Sequence, residues 1–305
     1  MTNYFEILED SYRSEKAIEY SRLYRIALKI YNFFNSIKKG CFFDNIRNEW
    51  RMKRARKYNV MQPTSDFKYG QYPDNNKRIL VYACVTNNYD LPTPPLFSPV
   101  NVEYILFSDN TNLCVDGWRV KAIPSDIMAL GNGTIVNRYL KMHPDVIGKG
   151  FDYAIYVDGN VQIMSNIRNI VNAVSSTTGL AIHRHSSRNC IYDEYEACRI
   201  LKKGNLTKLK DQVERYKSEK FPAKFGLLEC TIILTDMHNK NGLDLLDKWW
   251  NEFIKSESLR DQLSLPYVVW KIGYTIDDIG NLGNNLRLNP KFRYVNHRNT
   301  NSNFV

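Results

Sequence analysis

The tripeptide Asp158-Gly159-Asn160 interrupts an apolar run, YAIYVDGNVQIM, at a point where a buried strand would otherwise continue. Its two oxygen-bearing side chains flank a glycine, so both can reach one hard cation if the backbone bends tightly. A cation held there would bridge the two phosphates of a nucleotide-sugar and neutralise the departing diphosphate. Asp-Gly and Gly-Asn pairs are also common in hairpin turns. The tripeptide alone leaves both interpretations open.

Two other segments bring charge to predicted helices. Arg138 and Lys141 are three residues apart and share a helix face, where they would contact donor phosphates or lie in solvent like most isolated Lys and Arg. Asp261 and Gln262, in the segment RDQLS, open a later helix. An Asp in this position can be a simple helix cap, but a cap requires neither the Gln after it nor the Arg before it.

Alternating strand and helix patterns are expected to position these residues. Strands are predicted over 78–85, 102–108, 153–157, 180–183 and 227–234, and helices over 134–142, 166–174, 193–203, 207–218, 242–256 and 260–272. This order predicts an α/β fold with a mostly parallel sheet covered on both faces. Ligands bind at the carboxyl ends of such strands, so the polar residues that follow the strands are predicted to converge there.

The first 76 residues differ from the rest of the chain in composition and in predicted structure. Residues 1–60 are predicted to be a basic helical extension, 61–76 a linker rich in turn residues, and 77–305 the main domain. The stretch 38–57 holds eight Lys or Arg against two acidic residues, whereas the whole chain carries a net charge of +10. The apolar stripe of this extension would dock on the main domain or on a second subunit. Alternatively, residues 24–57 lie on an anionic membrane or bind nucleic acid.

The cell compartment is predicted from what the sequence lacks. It has no run of about 18 apolar residues, and its first fifteen residues are acidic and polar, unlike a signal peptide. The six cysteines form no CxxC pair and are expected to be reduced. We therefore expect a cytoplasmic protein, with peripheral contact at the inner membrane face as the alternative for the basic extension.

Between Ile79 and Pro266 the chain contains several short sequence blocks whose order and spacing are informative. They are YACVTNNYDL (82–91), FSD (107–109), NRYLKMHP (137–144), YVDGN (156–160), HRHSSRNCIYDE (183–194), WWNE (249–252) and RDQLS (260–264). Taken together, these blocks resemble the glycosyltransferase-like domains of plant mucilage and turgor-regulation proteins and of their bacterial relatives.

The resemblance implies a GT-A fold, which is Rossmann-like, and assigns roles at the carboxyl edge of its sheet. Asp158 and Asn160 would bind Mn²⁺ or Mg²⁺, with His297 as a candidate further ligand. The nucleoside would contact Thr86, Asn87, Tyr89, Asp90 and Asp109, and the diphosphate would contact Arg138 and Lys141. The sugar would be bordered by His183, His185 and Arg188, with Asp261 and Gln262 on the sugar and acceptor side.

This reading predicts an enzyme that moves a sugar from a nucleotide-sugar, with a UDP-sugar expected, to a glycan or lipid-linked acceptor in surface polysaccharide synthesis. Asp261 would be the general base of an inverting enzyme, or Asp261 and Gln262 would stabilise the sugar cation of a retaining one. The main alternative is a non-catalytic module that binds nucleic acid or glycan on a degenerate transferase fold. A nucleotidyltransferase is disfavoured because TNNYD, after the first strand, has no glycine. A nucleic-acid partner is not expected, and self-association stays open.

Overall fold

The five predicted strands lie in one sheet of seven strands in the computed structural model, which describes residues 4–19, 21–59, 69–73 and 76–295. The order across the sheet is β3-β2-β1-β4-β7-β6-β8. Its strands are β1 (Ile79–Val85), β2 (Val102–Ser108), β3 (Arg119–Ala122), β4 (Tyr153–Val157), β6 (Leu180–Arg184), β7 (Leu228–Asp236) and β8 (Gly280–Asn281). A separate pair joins β5 (Val161–Ile163) to β9 (Phe292–Tyr294).

Strand β7 runs against the direction of the other six strands. It is antiparallel to both β4 and β6, whereas the remaining pairs in the sheet are parallel. The end of β4 at Val157 pairs with Ile232, and the end of β6 at Arg184 pairs with Leu228. The first residues of β7 therefore lie at the edge where the other strands have their carboxyl ends.

The helices lie largely where the periodicity predicted them. They are α1 (Tyr4–Glu19), α2 (Arg22–Lys38), α3 (Phe42–Ala55), α4 (Ser125–Met128), α5 (Gly133–Met142), α6 (Pro144–Ile147), α7 (Ile191–Leu201), α8 (Leu206–Ser218), α9 (Lys240–Ser256) and α10 (Asp261–Lys271). The segment predicted as a helix over 166–174 is a 3-10 helix over Arg168–Ala173. The short strands β3, β5, β8 and β9 were not predicted, because a few residues give no readable alternation.

The alternating side chains of β1 build a core on each face of the sheet. Leu80 and Tyr82 pack into the cluster that contains Trp249 of α9, whereas Ile79 and Val81 belong to the cluster on the opposite face. All seven residues of β1 are buried, as expected for a central strand covered on both sides. The predicted α/β architecture with a mostly parallel sheet and an N-terminal helical extension is confirmed.

The N-terminal extension contacts the main domain at both ends. In α1, Glu9 accepts hydrogen bonds from the Ser165 hydroxyl at 2.7 Å and from the buried Lys291 ammonium at 2.8 Å. After α3, the Asn59 side chain accepts a hydrogen bond from Arg188 at 2.7 Å. Of the predicted linker over 61–76, residues 61–68 and 74–75 lie outside the described residues, so these domain boundaries stay predictions. None of the helices in the described ranges is long and apolar enough to cross a membrane.

Close packing of α9 on the sheet makes Gly242 a sensitive position. A Cβ atom there would lie 2.1 Å from the backbone oxygen of Thr178, which cannot move aside like a side chain. A typical Gly→Ala change in a helix raises stability by about 1 kcal/mol. We instead expect Gly242→Ala to lower the free energy of unfolding by about 1–3 kcal/mol, measured by urea denaturation. The exposed Lys240→Ala is the control, and an unchanged or raised stability for Gly242→Ala would contradict this packing.

Candidate functional site

A cleft of about 370 Å³ opens at the carboxyl edge of the sheet. Seven Lys or Arg side chains line it against four acidic ones, so the cleft attracts anions. The cations are Arg56, Arg138, Lys141, Arg188, Lys203, Arg260 and Arg287, and the acids are Asp158, Glu194, Glu229 and Asp261. The structure therefore brings together most of the residues predicted for the diphosphate, sugar and acceptor.

A buried ion cluster joins α5 to α10 in one wall of the cleft. The Asp261 Oδ2 atom lies 2.8 Å from the Arg138 Nε atom and 2.7 Å from the Lys141 ammonium. Burial opposes ionisation of Asp261, but the charges of Arg138 and Lys141 outweigh it and hold the pKa of this carboxyl well below its usual range. Burial likewise lowers the pKa of Arg138, and the nearby Asp261 charge more than compensates and raises it. Asp261 and Arg138 are therefore ionised at neutral pH.

The hydrogen bonds of Asp261 occupy both of its carboxylate oxygens. Oδ2 faces the two cations, and Oδ1 accepts the backbone N–H of Gln262 at 3.0 Å. The Gln262 side-chain amide is also hydrogen-bonded within the protein, since it donates to the backbone oxygen of Leu228 at 2.9 Å. A carboxylate with a strongly lowered pKa and no free oxygen is a weak base, so this geometry suits a residue that fixes Arg138 and Lys141.

The Asp158-Gly159-Asn160 segment is a tight turn and also part of the cleft. The N–H of Val161 donates to the Asp158 backbone oxygen at 3.0 Å, and the Asp158 side chain accepts a hydrogen bond from Tyr156 at 2.9 Å. A Cβ atom at Gly159 would lie 3.0 Å from Val85, so the turn is pressed against the end of β1. The turn interpretation of this tripeptide is therefore confirmed, and the cation site stays a prediction.

The oxygen atoms of this turn fit a divalent cation. The Asp158 carboxylate lines the cleft. The buried Asn160 amide makes no hydrogen bond of ordinary geometry with any described residue, although Tyr294 is its neighbour. A buried amide left without a partner costs about 1–3 kcal/mol, which a cation ligand would relieve. The described ranges contain no cluster of three or more His, Cys, Asp or Glu side chains suited to a metal, and His297 lies outside them.

The residues predicted for the nucleoside form a loop next to this turn. The backbone N–H of Asn87 donates to the Asp109 carboxylate at 2.8 Å, which joins the ends of β1 and β2. Asp90 is buried and lies beside Gly159, where an added Cβ would be 3.4 Å from its own Cβ. Thr86 contacts the start of α5, and Tyr89 is exposed. None of these five residues is among the side chains that line the cleft.

His185 and Arg188 lie together with Glu194 in the opposite wall. Two backbone N–H groups, of Ser187 and Arg188, donate to the His185 Nδ1 atom at 3.1 and 3.0 Å. Because Nδ1 accepts these two bonds, a neutral ring carries its hydrogen on Nε2, which lies 3.3 Å from the Arg188 Nη2 atom and 3.9 Å from both Glu194 and Glu229. Burial lowers the pKa of His185 despite these carboxylates, so the ring is neutral at pH 7. Arg188 donates to Glu194 at 2.7 Å.

His183 lies away from the cleft, contrary to its predicted place beside the sugar. Its ring is fully buried, with its Nε2 atom 3.0 Å from the Asn289 amide nitrogen and its centroid 6.1 Å from that of Phe292. Burial lowers the pKa of this histidine to about 3. The register shift between Ile182 and His183 in β6 was not readable from the sequence, and successive side chains of a strand point to opposite faces. His183 is thus a core residue.

Sequence reasoning missed several residues that line the cleft, among them Glu229, Arg56 and Asn59, and also Lys203 and Arg287. Glu229 reaches it because β7 is reversed, so its first residues, and not those after its end, face the site. Arg56 and Asn59 reach it because the end of the α3 region packs beside α7. The acidic residue within the apolar run LLECTIIL is the one sequence feature that indicates Glu229, and nothing in the sequence indicates Arg56 or Asn59.

Replacing Asp261 with Asn tests the ion cluster. The change leaves the charges of Arg138 and Lys141 without their counter-ion, so we expect the free energy of unfolding to fall by about 3–5 kcal/mol at pH 7. Because the pKa of Asp261 is lowered in the folded state, its ionised form stabilises the fold at pH values above the unfolded pKa of about 4, and this stabilisation is lost as the pH falls. The difference in unfolding free energy between the unmodified protein and Asp261→Asn should therefore become smaller in acid. Denaturant unfolding at several pH values measures this. Asp244→Asn, which removes an exposed pair with Lys248, is the control. Equal effects of the two changes would contradict the cluster's role.

The comparison with family models agrees with the resemblance seen in the sequence. Residues 132–288 match the family model described as TOD1/MUCI70, glycosyltransferase-like domain. Among solved structures, the apo form of mouse xyloside xylosyltransferase 1 is similar at 12% sequence identity and a TM-score of 0.40, over 67% of this chain and 83% of that one. A search of curated proteins gave no match. Because the family model spans slightly more than half of the 305 residues, the chain belongs to the TOD1/MUCI70 glycosyltransferase-like domain family.

Proposed function

We propose that the protein is a GT-A-type glycosyltransferase that uses a nucleotide-sugar, with a UDP-sugar as the expected donor, and that the basic cleft binds its diphosphate. The observation that carries this proposal is the excess of fixed cations around a polar cleft in a chain of a glycosyltransferase-like family. A diphosphate leaving group carries its developing negative charge into such a cleft, where positioned cations stabilise it.

The ion cluster gives this binding its geometry. Asp261 fixes Arg138 and Lys141 from behind, so neither cation has to be ordered when the diphosphate arrives. Arg188 is held in a similar way by Glu194 and Asn59. The nucleoside would contact the loop from Thr86 to Asp90, which Asp109 holds in place. We assign Asp261 a positioning role instead of the general-base role considered from the sequence.

A divalent cation, Mn²⁺ or Mg²⁺, belongs to the same proposal. Asp158 and Asn160 would hold it, and when bound it would neutralise charge on the diphosphate. The Tyr156 hydroxyl lies 2.9 Å from the Asp158 Oδ1 atom and 3.1 Å from the Asn137 Oδ1 atom, and by donating its one hydrogen to Asp158 it keeps the carboxylate oriented toward the cleft.

For the carboxylate that takes a proton from the acceptor hydroxyl, we propose Glu229. Its side chain is 32% exposed, and its Oε1 atom accepts a hydrogen bond from Thr231 at 2.9 Å. Oε2 faces the neutral His185 at 3.9 Å and makes no shorter ion pair with a described cation. Unlike Asp261, it therefore keeps an oxygen available to a substrate. We propose a glycan or a lipid-linked acceptor, as in surface polysaccharide synthesis in the cytoplasm.

A panel of nucleotide-sugars tests the donor and the cation together. We expect one nucleotide family among UDP-, GDP-, CMP- and dTDP-sugars to raise the melting temperature by several degrees, with a larger rise when Mn²⁺ is present. Asp158→Ala should fold normally, because the Tyr156 hydroxyl can then donate to Asn137, and should lose both the Mn²⁺ effect and transfer. Thermal shift and release of nucleoside diphosphate measure these effects. Full activity in folded Asp158→Ala would refute the cation site, and no shift with any donor would favour a binding-only domain.

The role of Glu229 is tested with Glu229→Gln, which keeps the size and the hydrogen bond to Thr231. We expect the rate of nucleoside diphosphate release to fall about 10²–10⁴-fold, the usual contribution of a general base, while donor affinity is unchanged. Glu214→Gln, an exposed change on α8, is the matched control. A rate within a factor of two of the unmodified protein would rule out Glu229 as the base.

A further inference from the structure

The second helix of the N-terminal extension has almost no protein cover. Every residue from 22 to 34 is exposed, although α2 carries Leu23, Ile26, Ile30 and Phe34. Thirteen of the twenty-four exposed large apolar side chains of the described residues lie between 22 and 59. An isolated helix of this length is marginal in water, and exposed apolar patches of this kind mark interaction surfaces.

The same segment holds most of the chain's excess charge. Residues 22–59, which we call the basic hairpin, contain eleven Lys or Arg and only Asp44 and Glu49 as acids. Its net charge of +9 compares with +10 for the whole protein. The most exposed apolar side chains, Leu23 at 81% and Phe43 at 83%, stand among these cations. Arg54 also lies over the ring of Trp50, at 4.9 Å from its centroid.

The basic hairpin lies directly beside the cleft. A groove of about 1060 Å³ runs between α2 and α3, with Phe33, Phe42 and Trp50 among its lining residues. Met52 and Arg56 line both this groove and the basic cleft. An apolar groove and a polar cleft therefore meet at the end of α3, next to Arg188.

We propose that the basic hairpin docks on a bilayer surface rich in anionic lipid, which brings the cleft to the lipid headgroups. Interfacial helices combine exposed apolar and aromatic side chains with Lys and Arg, which is the composition found here. A symmetric contact between two copies would place two surfaces of charge +9 against each other, and that repulsion disfavours a dimer through this face. Nucleic acid would leave the aliphatic side chains of α2 exposed to water.

Vesicle flotation with the full chain tests the proposal independently of donor binding. We expect the protein to float with vesicles that contain phosphatidylglycerol and phosphatidylcholine, and to stay behind with phosphatidylcholine alone. The triple variant Arg22→Glu, Lys29→Glu, Lys38→Glu should lower the partition coefficient about a hundred-fold or more. The control is Lys121→Glu, Lys149→Glu, Lys240→Glu, all exposed in the main domain, which lowers the net charge equally, from +10 to +4.

Leu23→Ser with Phe43→Ser tests the apolar part of the surface and should also weaken vesicle binding, whereas the thermal shift with donor should not change. Three results would overturn the proposal: no flotation with anionic vesicles, equal losses in the two charge variants, or a dimer in sedimentation velocity that dissociates on Leu23→Ser with Phe43→Ser. Loss of donor binding with vesicle binding retained would instead count against the proposed transferase function and leave the membrane surface standing.

Discussion

The pairing of one buried carboxylate with two cations organises the candidate site. Asp261 begins α10, whereas Arg138 and Lys141 lie on α5, so their ion pairs connect two helices that are far apart in sequence. Trp249 of α9 donates to the backbone oxygen of Asp261 at 2.9 Å, which ties a third helix to the same point. Burying three charges is costly, and the cluster persists because each charge has an opposite partner. Its outcome is a pair of cations with fixed positions at the cleft.

The reversal of β7 supplies the other wall of the cleft. Since this strand enters the sheet at the edge where its neighbours end, Glu229 and Thr231 stand beside Asp158. The backbone N–H of Asp158 donates to the Thr231 oxygen at 3.0 Å, so the turn and the strand are in direct contact. An antiparallel strand inside a parallel sheet thus adds Glu229 to an edge where cations outnumber the other acidic side chains.

More of the fold than of the candidate site could be predicted from the sequence. Buried runs such as ILVYACV and the apolar faces of α8 and α9 predict their elements because burial imposes a regular period on them. Of the residues predicted for the site, Arg138, Lys141, Asp158, His185, Arg188, Asp261 and Gln262 line the cleft, whereas those that follow β1 and β2 do not. Strand direction and register depend on contacts between distant segments, so Glu229 was missed and His183 was misplaced.

The N-terminal helices are a second case in which contacts between distant segments could not be predicted from the sequence. Their helical period and their charge were readable, but the contact of Asn59 with Arg188, and the entry of Arg56 into the cleft, depend on tertiary packing. A segment that seemed separable on composition therefore forms part of the wall of the candidate site, which links the basic surface of the chain to its chemistry.

The most direct test of the central claim is a crystal structure of the protein with UDP and Mn²⁺. The account predicts the diphosphate within hydrogen-bonding distance of the cations at Arg138, Lys141 or Arg188, with the metal ion on Asp158. A nucleotide bound elsewhere, with the cation cluster and Asp158 untouched, would contradict it.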